Sequence, residues 1–254
     1  MKNVQLIFVT ALLTAGLACT GASAREAGIS KAIAAAVADS GRPAADTGRD
    51  ANRRPAETLA FSGVKPGDKV LELAPGRGYF TRLLSAVVGP DGRVTIYTTS
   101  ALPKPDAPPP PILAIAADRH YSNVNVVMQR LTEAKPSGVF DLVWTTQNYH
   151  DFHNLPDLDI ATINRTVFDA LKPGGIYFIV DHVAEAGSGT RDTNTLHRID
   201  PEAVKQELKA AGFEFVAESK LLRNSSDPHN AKVFEGAVQG NTDQFVLKFR
   251  KPKK

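Results

Sequence analysis

The sequence predicts an α/β fold in which a doubly wound, mostly parallel sheet carries helices on both faces. Two observations support this prediction. From Lys65 onward, short apolar runs alternate with helical segments, and the last two apolar runs could pair as a hairpin. The 254 residues are 43% hydrophobic and 22% charged, which is enough apolar material for one sizeable core. We therefore expect one main domain.

The first 24 residues are set apart from this domain as a predicted signal peptide. Lys2 precedes an apolar run over residues 4–18, and the Ala-Ser-Ala run at 22–24 supplies a cleavage site before Arg25. The mature chain is therefore expected in the periplasm or outside the cell. No later apolar run approaches the roughly 18–20 residues needed to cross a bilayer, so no membrane insertion is expected after cleavage.

Cysteine usage and charge exclude several kinds of chemistry. The single cysteine, Cys19, lies in the predicted signal peptide, so the mature chain is expected to have no disulfide and no thiol chemistry. Acylation of Cys19 in a lipoprotein is the less favoured alternative, because Gly16 stands where a larger aliphatic residue is expected. Loss of Lys2, with no acid among residues 1–24, lowers the formal charge from +3 to +2. This charge is too small to indicate a nucleic-acid partner.

The predicted elements follow in order along the chain. Residues 29–38 are rich in helix formers and a second helix is expected near 50–62, which gives a helical N-terminal extension over 25–63. The sheet domain is expected over 64–254. Its predicted strands are KVLELA, RVTIYT, VNVVM, FDLVWTT, IYFIVD, FEFVAES and DQFVLKFR, and its clearest helices are YFTRLLSAVV, the segment 158–171 and PEAVKQELKAAG.

Two further segments are expected to lie outside these elements. Residues 102–111 are proline-rich, and we interpret them as a surface loop because proline fixes φ and lacks an amide donor. Arg49, Asp50, Arg53 and Arg54 in the N-terminal extension could cover a pocket as a lid or form a solvated helix face.

A glycine-containing loop follows the first predicted strand, in the run VLELAPGRGYF. Ligands of doubly wound sheets bind at the carboxyl ends of the strands, so this loop is the first candidate site. Gly76 and Gly78 let the backbone approach a ligand and direct the amides at the start of the next helix toward it. A dinucleotide fingerprint would need a third glycine at Thr81, so a nicotinamide oxidoreductase is disfavoured.

The motifs around this loop resemble the class I S-adenosylmethionine-dependent methyltransferases across residues 64–250. More narrowly, GRDANRRPAETLAF, ELAPGRGYFT, QNYHDFH and QFVLKF are similar to a group of exported bacterial predicted methyltransferases. The resemblance implies a Rossmann-like sheet of seven strands with a reversed terminal strand. It also implies S-adenosylmethionine as the cofactor and a small-molecule methyl acceptor.

The resemblance also implies the residues that bind the cofactor. Glu72 would bind its amino-acid part, although a carboxylate that caps nearby amides is an alternative. Class I enzymes usually place an acid at the end of the second strand to bind the ribose, and hydroxyls at this position would bind it more weakly. The expected cofactor-binding residues are Glu72, Ala74, Gly76, Gly78, Thr98, Thr99, Gln129 and Asn148.

Polar side chains that follow the fourth and fifth strands are the candidate catalytic groups. His150 is the preferred proton acceptor, because the unperturbed pKa of histidine is about 6.5, and a structural histidine is the alternative. Asp181 and His182 are expected on the same rim. Histidine and aspartate can bind zinc, but no His-x-His or His-x-x-x-His pair is present, so no metal site is predicted.

A protein of another class remains compatible with these patterns. An exported binding protein could keep the same fold without catalysis, since fold alone does not fix function.

Overall fold

The computed structural model describes residues 30–98 and 108–253, and of Thr98 it describes the backbone. The predicted signal peptide with Cys19, the predicted ribose contact Thr99 and most of the proline-rich loop lie outside the described residues.

The described residues contain seven strands, nine α-helices and three short 3-10 helices. The strands are β1 (Lys69–Leu73), β2 (Arg93–Thr98), β3 (Val124–Arg130), β4 (Phe140–Thr146), β5 (Leu171–His182), β6 (Glu214–Ser219) and β7 (Gln244–Arg250). The helices are α1 (Lys31–Val37), α2 (Ala44–Thr47), α3 (Asp50–Arg53), α4 (Pro55–Ser62), α5 (Tyr79–Val88), α6 (Pro111–Ala117), α7 (Leu131–Ala134), α8 (Ile160–Ala170) and α9 (Pro201–Ala210).

The strands form one mixed sheet in the order β3-β2-β1-β4-β5-β7-β6. Strands β1 to β5 are parallel, and β7 runs antiparallel to both of its neighbours. The predicted doubly wound sheet with a reversed terminal strand is therefore confirmed. The strand order reverses between β1 and β4, so the carboxyl ends of these two strands form the topological switch point where ligands bind in such folds.

The sheet separates two hydrophobic cores. Alternate residues of each central strand face opposite sides, so Val70 and Trp144 belong to one core while Leu71 and Val143 belong to the other. The first core packs against α1, α4 and α5, and the second against α8 and α9. The acidic residue Glu72 lies on the first side, directly before the loop that follows β1.

The predicted helix near 50–62 is two helices, a difference that has a local cause. Arg54 has a left-handed backbone with φ of 41°, and α4 begins at Pro55. Proline disfavours a right-handed helical conformation in the preceding residue and lacks the amide needed to continue the helix. The chain therefore bends at Arg54, between the short α3 and α4.

The described residues of the N-terminal extension pack closely on the sheet domain. The buried guanidinium of Arg42 donates to both carboxylate oxygens of Asp50, at 2.9 and 2.6 Å. The hydroxyl of Tyr79 in α5 donates to Asp50 Oδ1 at 2.6 Å. These bonds join the extension to the helix that begins at the glycine-containing loop.

No helix within residues 30–98 or 108–253 combines the length and the apolar character needed to cross a membrane.

Candidate functional site

The loop that follows β1 has the open backbone that the sequence predicts. Ala74, Gly76 and Gly78 all have positive φ, at 45°, 58° and 78°. A Cβ on Gly76 would meet no atom within 4 Å, whereas one on Gly78 would lie 2.1 Å from Ile115 Cδ1. Gly76 therefore presents free backbone, and Gly78 allows α6 to pack against the start of α5.

Glu72 lies beneath this loop as a buried acid. Only 2% of its surface is exposed, and Thr81 Oγ1 donates a hydrogen bond to Oε2 at 2.6 Å. Burial raises the pKa of Glu72 to about 8, against the opposing effect of the Thr81 hydrogen bond. The side chain is therefore a neutral acid at pH 7. Thr81, which the sequence singled out only as a missing glycine, is the residue that orients it.

Asn148 lies where β4 ends, and its amide binds backbone. Nδ2 donates to the carbonyl oxygens of Ala74 at 2.8 Å and Thr146 at 3.0 Å. Its amide oxygen accepts from Thr145 Oγ1. Asn148 thus fixes the β1 loop to the end of β4, and direct contact with a cofactor stays a prediction.

The expected ribose and adenine positions lie at the ends of β2 and β3. Tyr97 pairs with Val127 and Thr98 pairs with Arg130, so the register shifts between the two strands. The shift places Gln129 in an exposed irregular stretch beside the end of β2. The predicted roles of Thr98, Thr99 and Gln129 stay predictions.

His150, which follows β4, and Asp181, near the end of β5, form a buried pair. Nδ1 of His150 lies 2.8 Å from Asp181 Oδ1, and the backbone amides of His150 and His182 each donate to the same carboxylate at 2.8 Å. A carboxylate only accepts, so Nδ1 carries hydrogen, and Nε2 is a buried atom with no hydrogen-bond partner among the described residues. The three residues therefore lie on one rim, and their predicted catalytic roles stay predictions.

The charge state of His150 depends on two opposing effects. Burial by itself lowers the pKa of this imidazole, but the carboxylates of Asp181 and Asp151 outweigh burial and raise the pKa to about 10. His150 is therefore cationic at neutral pH in this environment. The role of His150 as proton acceptor stays a prediction.

His182 follows Asp181 directly and packs near the ring of His150. Its Nδ1 lies 2.6 Å from Thr242 Oγ1, and its ring centroid lies 6.0 Å from that of His150. Burial lowers the pKa of His182 to about 4, so the imidazole is neutral over the physiological range.

Arg53 lies beside the carboxyl ends of β4 and β5, and its predicted role as a lid residue stays a prediction. Its guanidinium lies 4.7 Å from the ring centroid of Tyr79 and donates to Gln147 Oε1. Burial lowers the pKa of Arg53 to about 10. The cavity beneath it is about 10 Å³ in volume and is also lined by Phe80, Thr146 and Gln244. Arg54 instead forms an exposed ion pair with Glu57 at 2.9 Å.

His197 is a site residue that the sequence analysis missed. It lies in the loop between β5 and α9, has a left-handed backbone with φ of 56°, and stacks edge-on against His150 at a centroid distance of 5.4 Å. Its Nδ1 lies 3.4 Å from Asp151 Oδ1. No sequence signal links His197 to His150, because only the tertiary fold brings the two loops together.

Comparison with known proteins gives consistent similarities. A family model described as a methyltransferase domain matches residues 47–218. The ubiquinone/menaquinone biosynthesis C-methyltransferase of Pasteurella multocida is 34% identical over 131 residues, which cover 49% of this chain and 43% of that protein. The enzyme of the same name from Vibrio cholerae is 28% identical over 205 residues, which cover 73% of this chain and 69% of that protein.

A solved structure supports the fold independently. The SAM-dependent methyltransferase from Aquifex aeolicus superposes with a TM-score of 0.55 at 15% identity, over 76% of this chain and 87% of that chain. At this level of identity the similarity shows a shared fold.

Proposed function

The chain belongs to the methyltransferase-domain family, and we propose that it transfers the methyl group of S-adenosylmethionine to a small-molecule acceptor at the carboxyl ends of β1, β4 and β5. The observation that carries this proposal is the loop after β1. The open backbone at Gly76 lies just before α5, which begins at Tyr79 at the switch point of the sheet, and the buried acid Glu72 lies beneath the loop.

The residues of this loop fit the cofactor. Gly76 has no side chain, and no atom lies within 4 Å of the position that a Cβ would occupy, so the cofactor can approach the backbone there. Among the described residues, Oε1 of Glu72 receives no hydrogen bond. The cationic amino group of the methionine part would favour the ionised carboxylate and could donate a hydrogen bond to Oε1. Glu72 and the loop backbone up to Gly78 would therefore hold the cofactor. When bound, the cofactor supplies an electrophilic methyl group.

Methyl transfer is an in-line displacement, so the chain contributes mainly by positioning the reactants. Arg53 binds Gln147 and covers a small cavity that Thr146 and Gln244 also line. A cavity of about 10 Å³ holds about one water molecule. This cavity is therefore too small for an acceptor, and we propose that the Arg53 side chain moves aside to admit one.

Calorimetry with S-adenosylhomocysteine tests the proposal directly. We expect saturable binding to the wild type and at least tenfold weaker binding to Glu72→Ala, on the order of the 1.5–3 kcal/mol of a hydrogen bond to a charged group. Glu214→Ala is the matched control, because Glu214 is an exposed acid on β6 that forms an ion pair with Arg250 on β7. No heat from the wild type at millimolar ligand would contradict the proposal.

The acceptor is proposed to be a small molecule with a nucleophilic carbon. Support comes from the two relatives described above, which are named as C-methyltransferases. Turnover should therefore be sought first with aromatic acceptors of the quinone-precursor type. Binding of the cofactor without turnover on any such acceptor would favour the non-catalytic binding protein instead.

We also propose that the chain is exported. The support is the order of basic, apolar and small residues over 1–24. Mass spectrometry of protein recovered from the periplasm should find an N-terminus at Arg25. Recovery of the full-length chain from the cytosol alone would contradict export.

A further inference from the structure

Three side chains converge beyond the cofactor loop, at the turn that follows β4. His150 Nε2 lies 3.2 Å from Asp151 Oδ1, and His197 Nδ1 lies 3.4 Å from the same oxygen. The three ligand atoms all lie within 4.8 Å of one another. No role in the proposed methyl transfer requires this arrangement.

We propose that His150, Asp151 and His197 form a binding site for a divalent first-row transition metal, with Zn²⁺ as a representative ion. Zinc binds histidine nitrogen and carboxylate oxygen at about 2.0–2.2 Å, so neighbouring ligands of a tetrahedral ion lie about 3.4 Å apart. The two separations from Asp151 Oδ1 match this spacing. Two histidines and one carboxylate are also a ligand set that such metals favour.

The orientation of His150 supports a shared ligand. Its side chain is 2% exposed, and Nε2 has no hydrogen-bond partner among the described residues, although Asp151 Oδ1 is near. A contact this close that is misaligned for a hydrogen bond is expected when two groups face a common point instead of each other. A metal at that point would satisfy the buried nitrogen.

The surroundings of His150 resemble the outer shell of a metal site. Asp181 is fully buried and binds Nδ1 of His150, which fixes the ring, so a metal ion would bind Nε2 by displacing the proton from that nitrogen. Asp151 and Asp181 together bring two negative charges to balance a divalent cation. Metal-bound histidines usually have a carboxylate or carbonyl in this position.

The loop that carries His197 is firmly anchored. The neighbouring Arg198 is fully buried, forms an ion pair with Asp227 at 2.8 Å, and donates to the carbonyl of Val183 at 3.0 Å. The side chain of His197 is 30% exposed and that of Asp151 is 49% exposed. An ion can therefore reach the site from solvent, and three protein ligands leave at least one position open for water or another oxygen ligand.

This inference revises the expectation of no metal site. That expectation depended on close spacing of histidines in the sequence, whereas the structure joins His150 to a histidine in a distant loop. The ligand pair His150 and Asp151 is adjacent in sequence, and His197 completes it only in the folded chain.

Equilibrium binding of Zn²⁺ to the purified protein tests the site. We expect one ion per chain in the wild type and at least about tenfold weaker binding in both Asp151→Asn and His197→Ala. Both side chains are partly exposed, so these variants should fold, which circular dichroism checks. His153→Ala is the matched control, because His153 lies on the same turn but faces Glu207 at 3.3 Å. This variant should bind Zn²⁺ like the wild type.

Three results would overturn the site. These are no zinc uptake by the wild type at micromolar concentration, unchanged uptake in both ligand variants, or equal loss in His153→Ala. Binding of S-adenosylhomocysteine is measured in the same samples and should not change in Asp151→Asn. Failure of cofactor binding in the wild type would contradict the proposed function and leave the zinc result standing, so the two proposals fail separately.

Discussion

Replacing Glu72 by glutamine is expected to stabilise the folded protein by up to about 5 kcal/mol at pH 9 and to weaken cofactor binding. The reason is that the charged carboxylate is buried with a single neutral hydrogen-bond donor, Thr81. Burial raises the pKa of Glu72 from 4.5 to about 8, and every tenfold change in an ionisation constant corresponds to about 1.4 kcal/mol. Glutamine removes the charge and keeps the shape.

The stabilisation by Glu72→Gln is expected to depend on pH. Between pH 4.5 and 8 the folded state keeps a proton on Glu72 that the unfolded chain has lost. Stability of the wild type therefore falls as pH rises through this window and levels off above it. The advantage of Glu72→Gln should be small at pH 5 and grow toward pH 9.

Urea unfolding at pH 5, 7 and 9 measures this effect. Glu214→Gln is the matched control, because Glu214 is exposed and should change stability by little at any pH. An advantage of Glu72→Gln that is the same at all three pH values would contradict the assigned burial cost. A residue that costs stability in the free protein yet binds the cofactor is the kind of compromise expected at a functional site.

The sheet could be predicted because its signals are local. The runs RVTIYT and FDLVWTT are strands with the predicted bounds, and YFTRLLSAVV is a helix with the predicted bounds. Each run is apolar in the pattern of one element and is bounded by glycine, proline or polar residues. The break at Arg54 was missed because a single proline at the start of a helix is also compatible with a continuous helical pattern.

The candidate site was predictable only where it follows a strand. Glu72, His150 and Asp181 lie at strand ends, so strand order alone was enough to bring them to one rim. Thr81 and His197 lie in a helix and in a loop, and their contacts depend on packing that no short-range pattern encodes. The shift in the pKa of His150 could not be predicted from the sequence either, because its direction depends on the balance between burial and two carboxylates.

The buried ion pair that anchors the His197 loop leads to the second large effect. Replacing Arg198 by leucine is expected to lower the free energy of unfolding by about 3–5 kcal/mol, because Asp227 would be left charged and buried without its partner. Arg198 also donates to the carbonyl oxygens of Val183 and Ala231, which would lose their donors. Urea unfolding at pH 7 measures the loss.

Two control variants separate the buried charge from the loss of side-chain packing. Arg250→Leu removes an exposed pair with Glu214 and should cost less than about 1 kcal/mol. The double variant Arg198→Leu with Asp227→Leu removes both buried charges and should recover part of the stability lost by the single change. A cost for Arg198→Leu no greater than that for Arg250→Leu would show that the pair does not stabilise this loop.

The same variant connects stability to the proposed metal site. Because Arg198 follows His197 directly and fixes its loop to β5 through Val183, loosening this anchor should let His197 move away from Asp151. Zinc affinity should then fall in Arg198→Leu although none of the three ligands has changed, while Arg250→Leu should bind zinc normally. Undiminished zinc binding in a folded Arg198→Leu protein would mean that the geometry of His197 is set by its own left-handed backbone and not by the ion pair behind it.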